Sequence, residues 1–152
     1  MTAAQAHIHS IGHFVDGQSL AGETGTRRAP VFNPSTGEVS GEVSLGDARV
    51  VDRAVAAAKA AFPKWSESSS LNRARVMFRF KELLNQHHDE LAAIITREHG
   101  KVFSDAKGEV MRGIEVVEFA CGAPQLLKTQ FSDNIGGGID NFSLRQPLGV
   151  CA

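Results

Sequence analysis

The sequence predicts an α/β fold in which short strands come first, a layer of helices follows, and strands return at the end. Three observations predict it. Turn-punctuated apolar pieces run from His13 to Leu45, helical apolar spacing runs from Asp47 to Pro124, and a glycine-rich turn precedes the extended stretch Ile139–Arg145.

Residues 1–12 are rich in Ala, His and Gln with no sustained period, which predicts a flexible tail. Phe14-Val15 precedes Asp16-Gly17, a two-residue hairpin signal, and Val31-Phe32 precedes the turn Asn33-Pro34-Ser35-Thr36-Gly37. Val39, Gly41, Val43 and Leu45 alternate with polar residues, so small antiparallel strands are expected. At Asp47 the period becomes helical, with Val51, Ala54, Val55, Ala58, Ala61, Phe62 and Trp65 on one stripe. Ser44 to Asp47 offers the cap, and Pro63 is expected to end or kink this helix near Ala61.

Ser68-Ser69-Ser70 caps a second helix carrying Ala74, Met77, Phe78, Phe80, Leu83 and Leu84. A pause at His87-His88-Asp89 leads into a short helix with Leu91, Ile94 and Ile95 inward and Gly100 at its end. Ser104-Asp105 is expected to cap a fourth helix whose stripe runs through Val110, Gly113, Ile114, Val117, Ala120, Cys121 and Pro124. Pro147–Ala152 reads as the opening of a buried apolar strand with no polar flank, so the chain is expected to be cut from a longer one.

Composition narrows the function classes. With 16 basic and 17 acidic side chains in 152 residues, the electrostatic term that dominates phosphate-backbone binding is missing, which argues against nucleic acid or an anionic membrane as partner. The longest apolar runs fall far short of the roughly 20 residues that span a bilayer. The N-terminus resembles neither a secretory signal nor a transit peptide, and the two cysteines do not form a disulfide scaffold, so a cytoplasmic, reduced protein is expected.

Candidate chemistry is sparse. Gly136-Gly137-Gly138 is followed by a strand rather than a helix and reads as a bend, not a phosphate cradle. Cys121 and Cys151 lie in apolar surroundings and read as small core fillers. His7, His9 and His13 have metal-like spacing but no rigid frame, and His87 and His88 suit a helix C-terminus. Arg112 has two readings. Glu109 and Glu115, three residues either side, make a surface ion-pair triplet possible by spacing. Alternatively, Val116 and Phe119 on its face make it a half-buried fork suited to a substrate carboxylate.

Several motifs occur in a recognisable order: Phe14-Val15-Asp16-Gly17-Gln18, Asn33-Pro34-Ser35-Thr36-Gly37-Glu38-Val39, Ala60-Ala61-Phe62-x-x-Trp65, Glu98-x-Gly100-Lys101 and Pro147-Leu148-Gly149-Val150. Together they resemble the start of an aldehyde dehydrogenase. The stretch from Asp105 to Pro124, with Arg112-Gly113-Ile114-Glu115 at its centre, and Arg145-Gln146-Pro147 resemble the methylmalonate-semialdehyde dehydrogenase subfamily. The resemblance implies N-terminal β-hairpins and a helical layer belonging to a Rossmann-like cofactor domain, truncated here. Residues 13–131 would form the N-terminal part of the NAD-binding domain. Residues 132–147 would be an oligomerisation arm giving a dimer or tetramer, and residues 148–152 would start the first cofactor-domain strand.

The activity implied is NAD-dependent oxidation of malonate or methylmalonate semialdehyde, with decarboxylation and coenzyme A as acyl acceptor. A thiolate attacks the aldehyde and the cofactor takes the hydride. Arg112 matches the arginine that holds the substrate carboxylate in that subfamily. Nucleophile, base and cofactor loop have no counterpart in these residues, and none of those roles transfers to Cys121 or Cys151, so the isolated chain is expected to be inactive. The competing expectations are an interaction module binding a partner through its β edges, and a regulatory domain with Arg112 as anion sensor.

Overall fold

The computed structural model describes residues 8–20 and 27–152. β1 (His9–Ile11), β4 (Arg28–Phe32) and β5 (Val39–Ser44) form one sheet in the order β1-β5-β4, while β2 (His13–Val15) and β3 (Gln18–Leu20) form a separate hairpin. The hairpin turns at Asp16 and Gly17, with φ of 53° and 73°, the primed turn whose twist matches its strands. β4 and β5 are antiparallel around the expected Asn33–Gly37 turn, closed by Gly37 N–H to Asn33 O at 2.8 Å.

Two expectations need correction here. The flexible tail assigned to residues 1–12 does not extend through His9–Ile11, which pair with β5; residues 1–7, His7 included, lie outside the described residues. That pairing is parallel, so the sheet is mixed rather than antiparallel throughout. Gly41 makes it possible, because a Cβ there would lie 2.8 Å from the His9 carbonyl oxygen.

α1 (Ala48–Glu67) starts at Asp47, whose carboxylate accepts from the amides of Arg49 and Val50. Pro63 does not end it. The proline removes the amide that would bond Lys59, but the last turn is closed by side chains: Ser66 Oγ donates to Pro63 O and Ser68 Oγ to Lys64 O, both at 2.9 Å. α2 (Ser70–Gln86) is capped by Ser69, as the serine cluster predicts. α3 (His88–His99) follows directly, with His87 as the junction, so His88 opens a helix rather than closing one.

α4 (Phe103–Cys121) begins before the expected Ser104-Asp105 cap: the amides of Asp105 and Ala106 donate to the Val102 carbonyl at 3.1 Å. Asp105 instead lies in the first turn, where its charge complements the positive helix end. The helix also stops short of Pro124, which belongs to the first turn of α5 (Ala123–Leu126), where its missing amide costs nothing.

α4 packs on α2 and α3 mainly through small residues: Ala74, Ala92, Ala106 and Cys121, joined by the larger Ile114, are the buried apolar side chains among the described residues. Small residues at the crossings let helix axes approach closely. The large apolar side chains, Phe78, Phe80, Val116 and Phe119 among them, face outward instead. β6 (Phe131–Ser132) and β7 (Asn141–Phe142) form an exposed antiparallel hairpin around the glycine bend, with Phe131 opposite Phe142. Residues 148–152 do not form the expected strand: a strand needs a neighbour to pair with, and none of the described strands pairs with them. Val150 and Cys151 line an open groove with Phe14 and Val51, and Cys151 is exposed, not a core filler.

Gly100 joins these parts. It ends α3 with φ at 83°, and a Cβ there would meet Pro34 Cγ at 2.9 Å. Gly100→Ala should therefore lower stability by about 1–2 kcal/mol from the left-handed backbone alone. Gly113→Ala, in open space within α4, should raise it by about 0.5–1 kcal/mol. Urea midpoints of both variants at equal slope check the pair.

A second test concerns the α3–α4 contact. Lys107 Nζ lies 2.7 Å from Asp89 and His88 Nε2 lies 3.1 Å from the Lys107 carbonyl oxygen, so one lysine is fastened at both its ends. Lys107 first, and His88 second, hold the Asp89 carboxyl below its usual range. A depressed folded-state pKa contributes stability above the unfolded value of about 3.9 and loses it as pH falls through the folded value. Asp89→Asn should accordingly be less stable than the parent at pH 6 and indistinguishable from it once Asp89 is protonated, as denaturation at stepped pH would show.

Candidate functional site

α4 carries two unlike faces. Ala106, Ile114 and Cys121 point into the helical layer, while Val116 and Phe119 are each 69% exposed. Arg112 precedes Val116 by four residues and Phe119 by seven, so the guanidinium shares the outward apolar stripe.

The ion-pair triplet allowed by spacing does not form. Glu109 is taken by Lys101, Nζ to Oε1 at 2.7 Å, and Arg112 makes no ion pair or hydrogen bond with another described residue. The reason is tertiary. The left-handed turn at Gly100 brings the chain back along the start of α4 and delivers the Lys101 ammonium to Glu109, with the lysine side chain only 20% exposed. Lys101 holds the Glu109 carboxyl below the usual carboxylate range, by its hydrogen bond above all and by its charge; the charges of His99 and Arg112 add smaller contributions. Further along α4, Lys81 of α2 takes Glu118 at 2.8 Å. Sequence reasoning missed Lys101, because the pair spans eight residues across a turn and lies outside the i±3 and i±4 rules for one helix.

An arginine on an apolar surface, free of a protein carboxylate, offers its fork of donors to a planar anion. No other constellation of comparable content occurs among the described residues. Groups of three or more His, Cys, Asp or Glu side chains placed to hold a metal are absent there. His87 pairs with Glu90 at 2.7 Å, and Cys121 is buried in the helical layer, as its apolar context predicts. A cleft of about 420 Å³ between Trp65, Arg73 and Arg145 has no lining residue on α4.

A dinucleotide does not fit these residues. Its phosphates need amides converging from a helix N-terminus, whereas the glycine bend lies in the β6–β7 loop and its Gly138 amide already donates to Asn134 Oδ1 at 2.6 Å. No described helix is long and apolar enough to cross a membrane.

Comparison with known proteins places the chain in a family. Residues 21–152 match the model of the aldehyde dehydrogenase family. The chain is 46% identical over 143 residues to malonate-semialdehyde dehydrogenase of Pseudomonas aeruginosa, covering 94% of this chain and 28% of that protein. It is 48% identical over 152 residues to malonate-semialdehyde dehydrogenase 1 of Geobacillus kaustophilus, covering 100% and 31%. Among solved structures it superposes on methylmalonate-semialdehyde dehydrogenase from Oceanimonas doudoroffii with a TM-score of 0.87 at 51% identity, covering 93% of this chain and 28% of that one. A protein of Sinorhizobium meliloti 1021, provisionally named a methylmalonate-semialdehyde dehydrogenase and solved with NAD, gives 0.90 at 48% identity, covering 95% and 29%. The chain thus spans under a third of the length of the relatives it matches. With its strands, helical layer and ordered motifs matched together, this chain belongs to the aldehyde dehydrogenase family.

Proposed function

We propose that these residues are the N-terminal portion of an NAD-dependent, coenzyme A-acylating dehydrogenase that oxidises malonate or methylmalonate semialdehyde and releases carbon dioxide. The observation that carries the reading is Arg112, held on the outward stripe of α4 without a protein carboxylate. Both substrates carry a carboxylate that an ordinary aldehyde lacks, and a guanidinium binds such a group through two parallel hydrogen bonds. Arg112 then fixes the orientation of the substrate, and Val116 and Phe119 exclude water from that ion pair once the surface is covered. The similarity to relatives named for these semialdehydes supports the same substrate class.

In this reading NAD, the nucleophile and the acyl acceptor are held by the remainder of a longer enzyme, which works in the cytoplasm. Residues 132–147 pair subunits. The exposed β6–β7 hairpin supports this, since Phe131, Ile135, Ile139 and Phe142 leave it with apolar side chains in solvent and an unpaired edge.

Arg112→Ala in the complete enzyme should cost about 2–5 kcal/mol in kcat/KM for malonate semialdehyde, the range for removing one member of a desolvated charge pair. Propanal, which lacks the carboxylate, should be oxidised as before. Equal losses on both aldehydes would make Arg112 structural. Residues 1–152 alone should produce no NADH from malonate semialdehyde, NAD and coenzyme A, and a positive assay would overturn the assignment of the chemistry to the rest of the enzyme. Replacing Phe131 and Phe142 together by Asp should shift the complete enzyme toward monomer in sedimentation velocity.

A further inference from the structure

We infer that Lys101 is a positioning residue for carboxylate recognition: by holding Glu109 it keeps the guanidinium of Arg112 free for the substrate. The inference rests on the reading of Arg112 given above and adds a requirement to it.

Glu109 precedes Arg112 by three residues on one helix, and a glutamate N-terminal to a cation is the favourable order for a helical ion pair. Left to the helix alone, Glu109 would be the first competitor for the guanidinium. In the structure it is turned toward Lys101 instead, at 2.7 Å. Lys101 is well placed to win this competition. Its ammonium comes from outside the helix, and its side chain is 20% exposed against 46% for Glu109, so the pair is less screened than one on the open helix surface.

Of the other carboxylates on α4, Glu118 is likewise held by a lysine, Lys81, whereas Asp105 lies in the first turn and Glu115 follows Arg112 in the less favourable order. The device therefore needs only one lysine to leave one arginine uncommitted. Lys101 touches neither substrate nor reacting atoms in this account, and acts through Glu109.

The test is a specificity ratio in the complete enzyme, kcat/KM for malonate semialdehyde divided by that for propanal. Lys101→Met should lower the ratio about two- to fivefold, the strength of a partly exposed ion pair, with the change in KM rather than kcat. Lys101→Arg should restore it. The decisive variant is Lys101→Met combined with Glu109→Gln: removing the competitor should return the ratio to that of the parent, although the ion pair is gone. A purely structural lysine predicts instead that the single and the double variant both lose kcat/KM equally on the two aldehydes, with the ratio unchanged in either. If Arg112→Ala leaves the ratio unchanged, the reading of Arg112 itself fails. If Arg112→Ala lowers the ratio and Lys101→Met does not, the role assigned here to Lys101 is overturned.

Discussion

The left-handed residue at Gly100 is the constraint on which the rest of the arrangement depends. Its φ of 83° stops α3 and redirects the chain into α4 within three residues. The absent Cβ leaves room for Pro34 of the β4–β5 turn, so the same residue docks the sheet against the helical layer. Lys101 comes next in the chain, and its reach to Glu109 follows from that redirection. A backbone conformation costly for any other residue thus sets the sheet-to-helix contact, the start of α4 and the charge pattern around Arg112.

Burial in the layer falls mainly to small side chains, with Ile114 the larger exception among the described residues. Ala92 and Ala106 are fully enclosed where α3 meets α4, while aromatic residues on α2 and α4 point to solvent. Helical periodicity locates an apolar stripe but does not say which of two apolar stripes turns inward. For α2 the sequence put Ala74 and Phe78 in one set. The structure buries Ala74 and leaves Phe78 57% exposed, because close helix approach at α4 admits the methyl and not the ring.

Element identity was therefore more legible than burial or boundaries. The Asp16-Gly17 turn, the serine cap of α2 and the Gly100 stop are local chemistry, each decided within a few residues. Structure and expectation differ where distant chain decides. Parallel pairing of His9–Ile11 with β5 depends on a residue some thirty positions away, and Pro147–Ala152 pairs with none of the described strands. The site divided along the same line. Arg112 stands out as a candidate from its motif and its face, whereas the partner of Glu109 is hidden because spacing rules describe one helix and Lys101 lies before it.

An uncommitted guanidinium on an apolar stripe also limits what can lie over it. Covering Arg112 with an apolar surface alone would remove a full charge from water with nothing to offset it, a cost of several kcal/mol. Covering it with a protein carboxylate would satisfy the charge but fill the position permanently. A surface that closes over Val116 and Phe119 while leaving the guanidinium in contact with a small, exchangeable anion avoids both penalties. On the proposed role of Arg112, the stripe and the charge would act as one recognition element: apolar neighbours that lower the local dielectric would make the presence or absence of a substrate carboxylate energetically decisive.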